Sequence, residues 1–393
     1  MRADKISTLV CLWPYSSVFP QRSGVTRSIH DFSLLLSSYF NVLILSLDKN
    51  GAFIDKERFS ERVIEYNLSY NRVYYFINLI MLSLFKINID EFFRYRKLVG
   101  EIRKTKAKYL ISFDFLLSQN LKRDFPNSNL ITYTDGPSFI NAIVEERVME
   151  IKSRLFNKLI KKTYNNYYIK KYKSMVNSSD LIIFPSKSDM LDATKYFKNI
   201  NATYFYPVLI KDTKNKIKIV KKIESIGFLG NASFPPNIEA VNIIIKRIAN
   251  KLKDKNFIVI GDSWAKHTGG NIKFLGYVKN LKKALSKIDL FIMPIQTGSG
   301  TKVKVADMLT SLKPMIGTSI AFAGYDLENE KEVIITNKID NFSKIIRKLD
   351  SNPNKILSMQ KRLKLKLDKF NSNKKIKLIN LVKIIKNLQS IKE

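Results

Sequence analysis

Cysteine is almost missing from this chain of 393 residues. The single Cys11 excludes an internal disulfide and leaves no multi-cysteine zinc or iron–sulfur site. Histidine is nearly as scarce, with only His30 and His267. Acidic residues are outnumbered, 34 Asp+Glu against 68 Lys+Arg, which leaves a formal net charge of +34. Long apolar runs are also lacking: the most apolar stretch, residues 73–85, falls short of the roughly 20 residues that cross a bilayer. It reads as a buried helix or a helix resting in a membrane interface. The apolar run at residues 6–13 is too short and ends too abruptly for a signal peptide, and is better read as a buried first strand. These absences fit a reducing cytoplasm.

What is present is a globular composition. Hydrophobic residues make up 45% and aromatics 11%, too much core-forming material for a disordered polycation. The length implies two domains. The positive excess is mostly lysine in a chain crowded with Asn and Ile, so compositional bias accounts for it as well as an affinity for polyanions does. Phosphorylated substrates, an anionic membrane surface and nucleic acid all stay open on charge alone.

Short β-rich runs recur at residues 7–13, 41–47, 108–113, 129–134 and 180–185, with helical patterns between most of them. Near-continuous apolar strands alternating with helices predict a parallel sheet covered on both faces. Residues 208–222, polar and lysine-rich after Tyr206-Pro207, read as a linker. The same grammar restarts at 225–230, 256–261, 271–276, 289–294, 313–318 and 332–336. Beyond about residue 340 the pattern is helical. The expectation is an α/β protein with two doubly wound, Rossmann-like domains: residues 1–207, the linker 208–222, residues 223–370, and a last helix 371–393 packing back on the first domain. Ligands in such sheets bind where strands end at their carboxyl ends.

The most informative stretch runs from Pro294 to Leu309. A strand ends at Pro294, a loop of small residues follows, and a helix is expected near Lys302 with Thr301 as its N-cap. Gly298, Ser299, Gly300 and Thr301 would turn backbone N–H groups outward, the helix start adds partial positive charge, and Lys302 and Lys304 add full charges, which suits a diphosphate. Asp307 lies five residues beyond Lys302, about 7.5 Å along a helix, within reach of a ribose. The same spacing also fits a glycine turn before an amphipathic helix with a solvated Asp307.

This segment resembles the donor-binding region of the glycosyltransferase family 4 type, the group 1 enzymes of GT-B architecture. Residues 228–241, 274–294 and 317–327 agree with the family in order and spacing. So do residues 14–36, similar to its glycine-containing loop after the first strand, and residues 132–142, similar to its Asp-bearing loop. The resemblance covers nearly the whole chain. It implies a glycosyltransferase of the hexosyltransferase type, with two domains facing a cleft and a nucleotide-diphosphate sugar as co-substrate. The donor would lie in the second domain and the acceptor, a lipid-linked or cell-surface glycan, in the first, with anomeric retention.

By position, Asp307 takes the ribose-binding role that the family gives to Glu, one methylene longer, and Lys302 with the backbone of residues 298–301 takes the diphosphate. Ser299 stands where many members carry a second Glu. Gly230, Asn231, Gly261 and Tyr277 resemble family contacts to diphosphate and nucleobase. Asp135 is the candidate catalytic residue, also readable as a turn-forming Asp-Gly-Pro. Arg22, Ser23 and Gly24 form a candidate acceptor or phosphate loop, with Arg27 as a further anion ligand. No Asp-x-Asp lies at a strand end, so no metal and no separate cofactor is expected.

The basic stretch 152–173, interleaved with Tyr, reads as a solvated face or a membrane-facing patch. Partners expected are the nucleotide sugar, the glycan or lipid-linked acceptor and an anionic membrane surface, without nucleic acid. The location expected is the cytoplasm, peripheral on the inner membrane face. A nucleotide-sugar epimerase of the same plan and a basic polyanion-binding protein without activity are the alternatives.

Overall fold

A computed structural model describes residues 7–16, 18, 24–48, 52–55, 59–66, 77–78, 80–82, 87–140, 144, 154–208, 210, 217–264, 268–298 and 300–388. It divides into two compact units, Met1–Val208 with Lys377–Glu393, and Leu209–Ile376. The expected two doubly wound α/β domains are present.

The first unit is built on eight strands: β1 (Thr8–Trp13), β2 (Asn41–Asp48), β3 (Ala52–Asp55), β4 (Ser60–Glu65), β5 (Tyr109–Ser112), β6 (Asn129–Tyr133), β7 (Leu181–Phe184) and β8 (Ala202–Tyr204). Their order is β3-β4-β2-β1-β5-β6-β7-β8. All pairs are parallel except β3 with β4. In β1 the side chains alternate between two cores, as the period of two requires. Leu9 and Cys11 enter the core with Ile29 and Phe32 of helix Gly24–Leu36, whereas Val10 and Leu12 join Tyr95, Leu98 and Ile102 of helix Ile89–Thr105. Burial pushes the Cys11 thiol up to about 12, so this side chain packs and does not react.

Helix Ile89–Thr105 begins where the Asn88 carboxamide oxygen accepts the Glu91 N–H. Asp90 and Glu91 lie in its first turn and Arg103 and Lys104 in its last, matching the helix dipole at both ends. It stops at Lys106, which adopts a left-handed conformation with φ of 49°.

The second unit holds β9 (Ser225–Leu229), β10 (Asn256–Ile260), β11 (Thr268–Gly269), β12 (Ile272–Gly276), β13 (Leu290–Met293), β14 (Met315–Gly317) and β15 (Ile334–Ile335). Their order is β11-β12-β10-β9-β13-β14-β15, with only the β11 pair antiparallel.

The chain ends in one helix, Pro353–Asn387. A separate last helix from residue 371 is therefore not what forms: residue 371 lies inside this helix, and the division between units falls at residues 376 and 377. Nothing in the intervening residues breaks the helix, since no Pro or Gly follows Pro353. Gln360 Nε2 donates to the carbonyls of Lys218 and Leu312 in the second unit. Leu378, Leu381, Val382, Ile385 and Leu388 complete the core of the first. Replacing Ile385, wholly buried, by Ala is expected to cost the first unit about 2–5 kcal/mol. Hydrogen exchange checks this: amides of β1 should lose protection while those of β9 keep theirs.

Candidate functional site

In the second unit the chain leaves β9 outward through β10 and β12 and returns on the other side at β13. Open α/β sheets hold ligands where the strand order reverses, at the strands' carboxyl ends. Here that point lies between β9 and β13, which pair only at Leu290 with Ile226 and Phe291 with Gly227. The loop after β9 carries Gly230 and Asn231. The loop after β13 carries Gly298 and Gly300 and leads into helix Val303–Thr310.

Glycine is required at two of these turns. Gly261, at the end of β10, has φ of 150°, and a Cβ there would stand 2.0 Å from the Gly230 carbonyl oxygen. That oxygen also accepts the Trp264 indole N–H at 2.7 Å, which pins the loop. A Cβ on Gly230 would lie 2.8 Å from Cγ of Asn237, so its absence admits the Asn237 carboxamide.

Lys302 is the N-cap of helix Val303–Thr310, with extended backbone and no side-chain cap. This corrects the expected cap at Thr301, whose side chain instead packs against Gly324, where a Cβ would stand 2.1 Å from the Thr301 Oγ1. The Val305 N–H donates to the Lys302 carbonyl at 2.9 Å. The buried Tyr325 hydroxyl accepts the Ala306 N–H at 3.1 Å and donates to the same Lys302 carbonyl at 2.9 Å. The first N–H groups of a helix have no intrahelical acceptor, and those of Val303 and Lys304 have none among the described residues.

Two lysines flank this opening. Lys302 is buried, and its Nζ donates to the Gly300 carbonyl at 2.9 Å. Lys304 donates its ammonium to Oδ1 of Asn237 and lies 4.8 Å over the Phe228 ring. Asn237 is held in turn by its Nδ2, which donates to the Asn231 carbonyl at 2.8 Å. Burial, reinforced by the neighbouring Lys302 charge, lowers the Lys304 ammonium to about 7. Glu239 near the loop accepts the Thr297 hydroxyl at 2.9 Å. Two N–H groups and two cations at one helix start are suited to a diphosphate.

Of the expected donor residues, Gly230, Asn231, Gly261, Gly298, Gly300, Lys302 and Lys304 come together around this switch point. Asp307 is half-buried farther along the helix, and its carbonyl accepts the Thr310 hydroxyl at 2.6 Å. Tyr277 follows β12 and is 76% exposed. Ser299, Arg22, Ser23 and His267 lie outside the described residues. Asn237, Tyr325 and Trp264 were not legible as site residues, because each acts through a partner distant in sequence.

In the first unit the strand order reverses between β1 and β5. Gly24 opens helix Gly24–Leu36, and its carbonyl accepts the Ser28 hydroxyl at 3.0 Å. Arg27 pairs with the buried Asp31 at 3.7 Å, and His30 Nδ1 lies 3.0 Å from the same carboxylate. Asp135 follows β6, one strand beyond the switch, with its carbonyl accepting the Tyr172 hydroxyl at 3.0 Å. The acidic residue that does follow β5 is Asp114, two positions beyond its end. Its carboxylate accepts the Tyr15 hydroxyl at 2.8 Å and the Leu116 N–H at 3.0 Å, and burial raises its pKa against those two bonds. Arg94 stacks 4.5 Å over the Tyr15 ring and donates to the Pro14 carbonyl at 2.8 Å. The strand order alone singles out Asp114, and strand order is not written in local sequence.

Residues 224–352 match the family model described as Glycosyl transferases group 1. The whole fold is similar to that of WaaG, a glycosyltransferase involved in lipopolysaccharide biosynthesis, with TM-score 0.65, 11% identity, and 96% of this chain and 99% of that one covered. It is also similar to Anabaena HepE in complex with UDP and glucose, at TM-score 0.64 and 11% identity over 98% and 99% of the two chains. A sucrose-phosphate synthase from Thermosynechococcus elongatus gives TM-score 0.65 and 11% identity over 96% and 99%. These are glycosyltransferases of GT-B architecture, and the chain has their two-domain α/β fold. No curated protein matches the chain in sequence.

A pH dependence follows from Lys304. With its ammonium at about 7 in the empty site, a bound diphosphate raises it again, so binding takes up a proton wherever the free lysine is neutral. Affinity for a nucleoside diphosphate should be level just below pH 7 and fall above it by up to about tenfold per pH unit, until the bound lysine also titrates. Titration calorimetry across that range checks this, and Lys304→Met should remove the slope.

Proposed function

We propose that the protein is a glycosyltransferase, retaining and independent of a metal, that moves a sugar from a nucleoside diphosphate sugar to a lipid-linked or cell-surface glycan. It would work on the cytoplasmic face of a membrane as a peripheral protein. The observation that carries this reading is the helix start at Val303, where two N–H groups have no acceptor among the described residues and Lys302 and Lys304 stand beside them.

In the reaction the bond between the sugar's anomeric carbon and the diphosphate oxygen breaks, and its electron pair stays on the diphosphate. The acceptor oxygen forms the new bond to the anomeric carbon, and its proton passes to the departing diphosphate or to water. The developing negative charge lies where the helix dipole and the two lysines oppose it, in a partly dehydrated corner where such interactions are strong. Asp307 is assigned to the ribose, and its shorter side chain suits a contact made through water. Gly230, Asn231 and Gly261 bring backbone close to the diphosphate, and Tyr277 offers an exposed ring to the base. Asp135 is assigned to the acceptor hydroxyl or to charge balance in the transition state, with Arg22, Ser23 and Gly24 at the acceptor or phosphate loop.

A screen of UDP-, GDP-, CMP- and dTDP-sugars for binding and donor hydrolysis tests the reading. Lys302→Ala should lower kcat/KM on the preferred donor about 100-fold, as loss of a group facing transition-state charge does. Asp307→Ala should act mainly on KM, by about tenfold. Neither binding nor hydrolysis across the panel would sink the proposal, and an epimer formed from UDP-N-acetylglucosamine alone would replace it with an epimerase.

A further inference from the structure

Helix Ile89–Thr105 has one exposed face with no partner from another element among the described residues. Phe92, Phe93, Arg96, Lys97, Gly100, Arg103 and Lys104 are all exposed, and at about 100° per residue they fall within an arc of about 140°. Phe92 and Phe93 are 49% and 44% exposed and touch ring to ring at 5.6 Å. The Arg96 guanidinium lies 5.8 Å from the Phe92 ring, and a Cβ on Gly100 would meet nothing within 4 Å. No acidic side chain lies on the arc. At its margins Asp90 is paired with Arg94 and Glu101 with Arg62 and Lys104.

The apolar tip extends beyond the helix. Exposed Ile87 precedes it, and exposed Ile77 and Ile80 lie in the segment tied to it by Asn78, whose Oδ1 accepts the Ile89 N–H at 2.8 Å.

We infer that this face docks on an anionic lipid bilayer, which deepens the lipid-linked acceptor reading proposed above and rests on it. Isoleucine and phenylalanine tips enter the boundary between headgroups and acyl chains, while Arg96, Lys97 and Arg103 meet lipid phosphates. The branched aliphatic chains favour a bilayer over nucleic acid, because they offer no ring for a base to stack on. Placement supports the same occupant. The inner side of the same helical turn carries Glu91, which holds Tyr167 and Lys171, and Arg94, which holds Pro14 and Tyr15 beside Asp114. The docking face is thus on the side of this helix opposite the contacts that reach Pro14, Tyr15 and Tyr167. The basic stretch 152–173 suits a bilayer less well, since its Tyr164, Tyr167, Tyr168 and Tyr172 are buried in the core.

Co-sedimentation with phosphatidylcholine vesicles, with and without phosphatidylglycerol, tests this on the full chain. Wild type should sediment only when phosphatidylglycerol is present. Phe92→Ser/Phe93→Ser and Arg96→Glu/Lys97→Glu should each weaken partitioning by about tenfold or more, whereas Lys158→Glu/Lys162→Glu on the other basic helix should change it by less than about threefold. Equal losses in all three pairs, which would mean charge attraction without a docking face, or no loss in the first two, would overturn the inference. So would a matching loss of single-stranded RNA binding in those two pairs. UDP binding, measured on the same samples, reports separately on the glycosyltransferase reading: its failure with intact vesicle binding would remove that reading and leave the surface.

Discussion

The candidate site depends on keeping a lysine in a place poor in compensating acid. Lys304 is held by a neutral carboxamide and an aromatic face, and that hydrogen bond does not cancel its charge. A carboxylate partner would have neutralised the positive field that an anion needs. The arrangement instead leaves the corner electrostatically unsaturated, which costs stability in the empty protein and is relieved when a diphosphate arrives. Several other features serve this one: the missing Cβ of Gly230 admits Asn237, the Asn231 carbonyl orients it, and the Tyr325 hydroxyl steadies the first helical turn.

The first unit solves the opposite problem. Its buried charges near the strand ends are carboxylates, Glu91 and Asp114, each satisfied by tyrosine and, for Glu91, by Lys171. Burial raises the pKa of both, and the bonds they accept work against that rise. These contacts lock the loop after β1 to helix Ile89–Thr105 and to the long helix Arg154–Ser178. Glu61 of β4 adds another tether, accepting the Val18 N–H and the Ser46 hydroxyl, both at 2.6 Å.

Much of the fold was legible in the sequence because the central strands are buried on both faces and read as continuous apolar runs. The runs at 225–230, 256–261 and 289–294 fall on β9, β10 and β13. The strands that escaped notice lie at a sheet edge or next to one. β4 reads Ser-Glu-Arg-Val-Ile-Glu, polar enough to resemble a loop, and its buried Glu61 makes sense only once Val18 and Ser46 are in place. The anion-binding helix start was legible because its signals are local: glycines, a strand end and adjacent lysines. Asn237 and Asp114 were not, because their roles arise from strand order and from contacts across 67 and 99 positions of chain.

The helix Pro353–Asn387 also ties the two ends of the described chain together. Because its last turns fill the core under β1, the unit that contains the start of the chain is finished only by residues near the other end. Until those turns dock, the first unit has an apolar gap in its core. The same threading makes the second unit an insertion joined by two chain crossings, so removing the tail would injure the opposite unit from the one that precedes it in sequence.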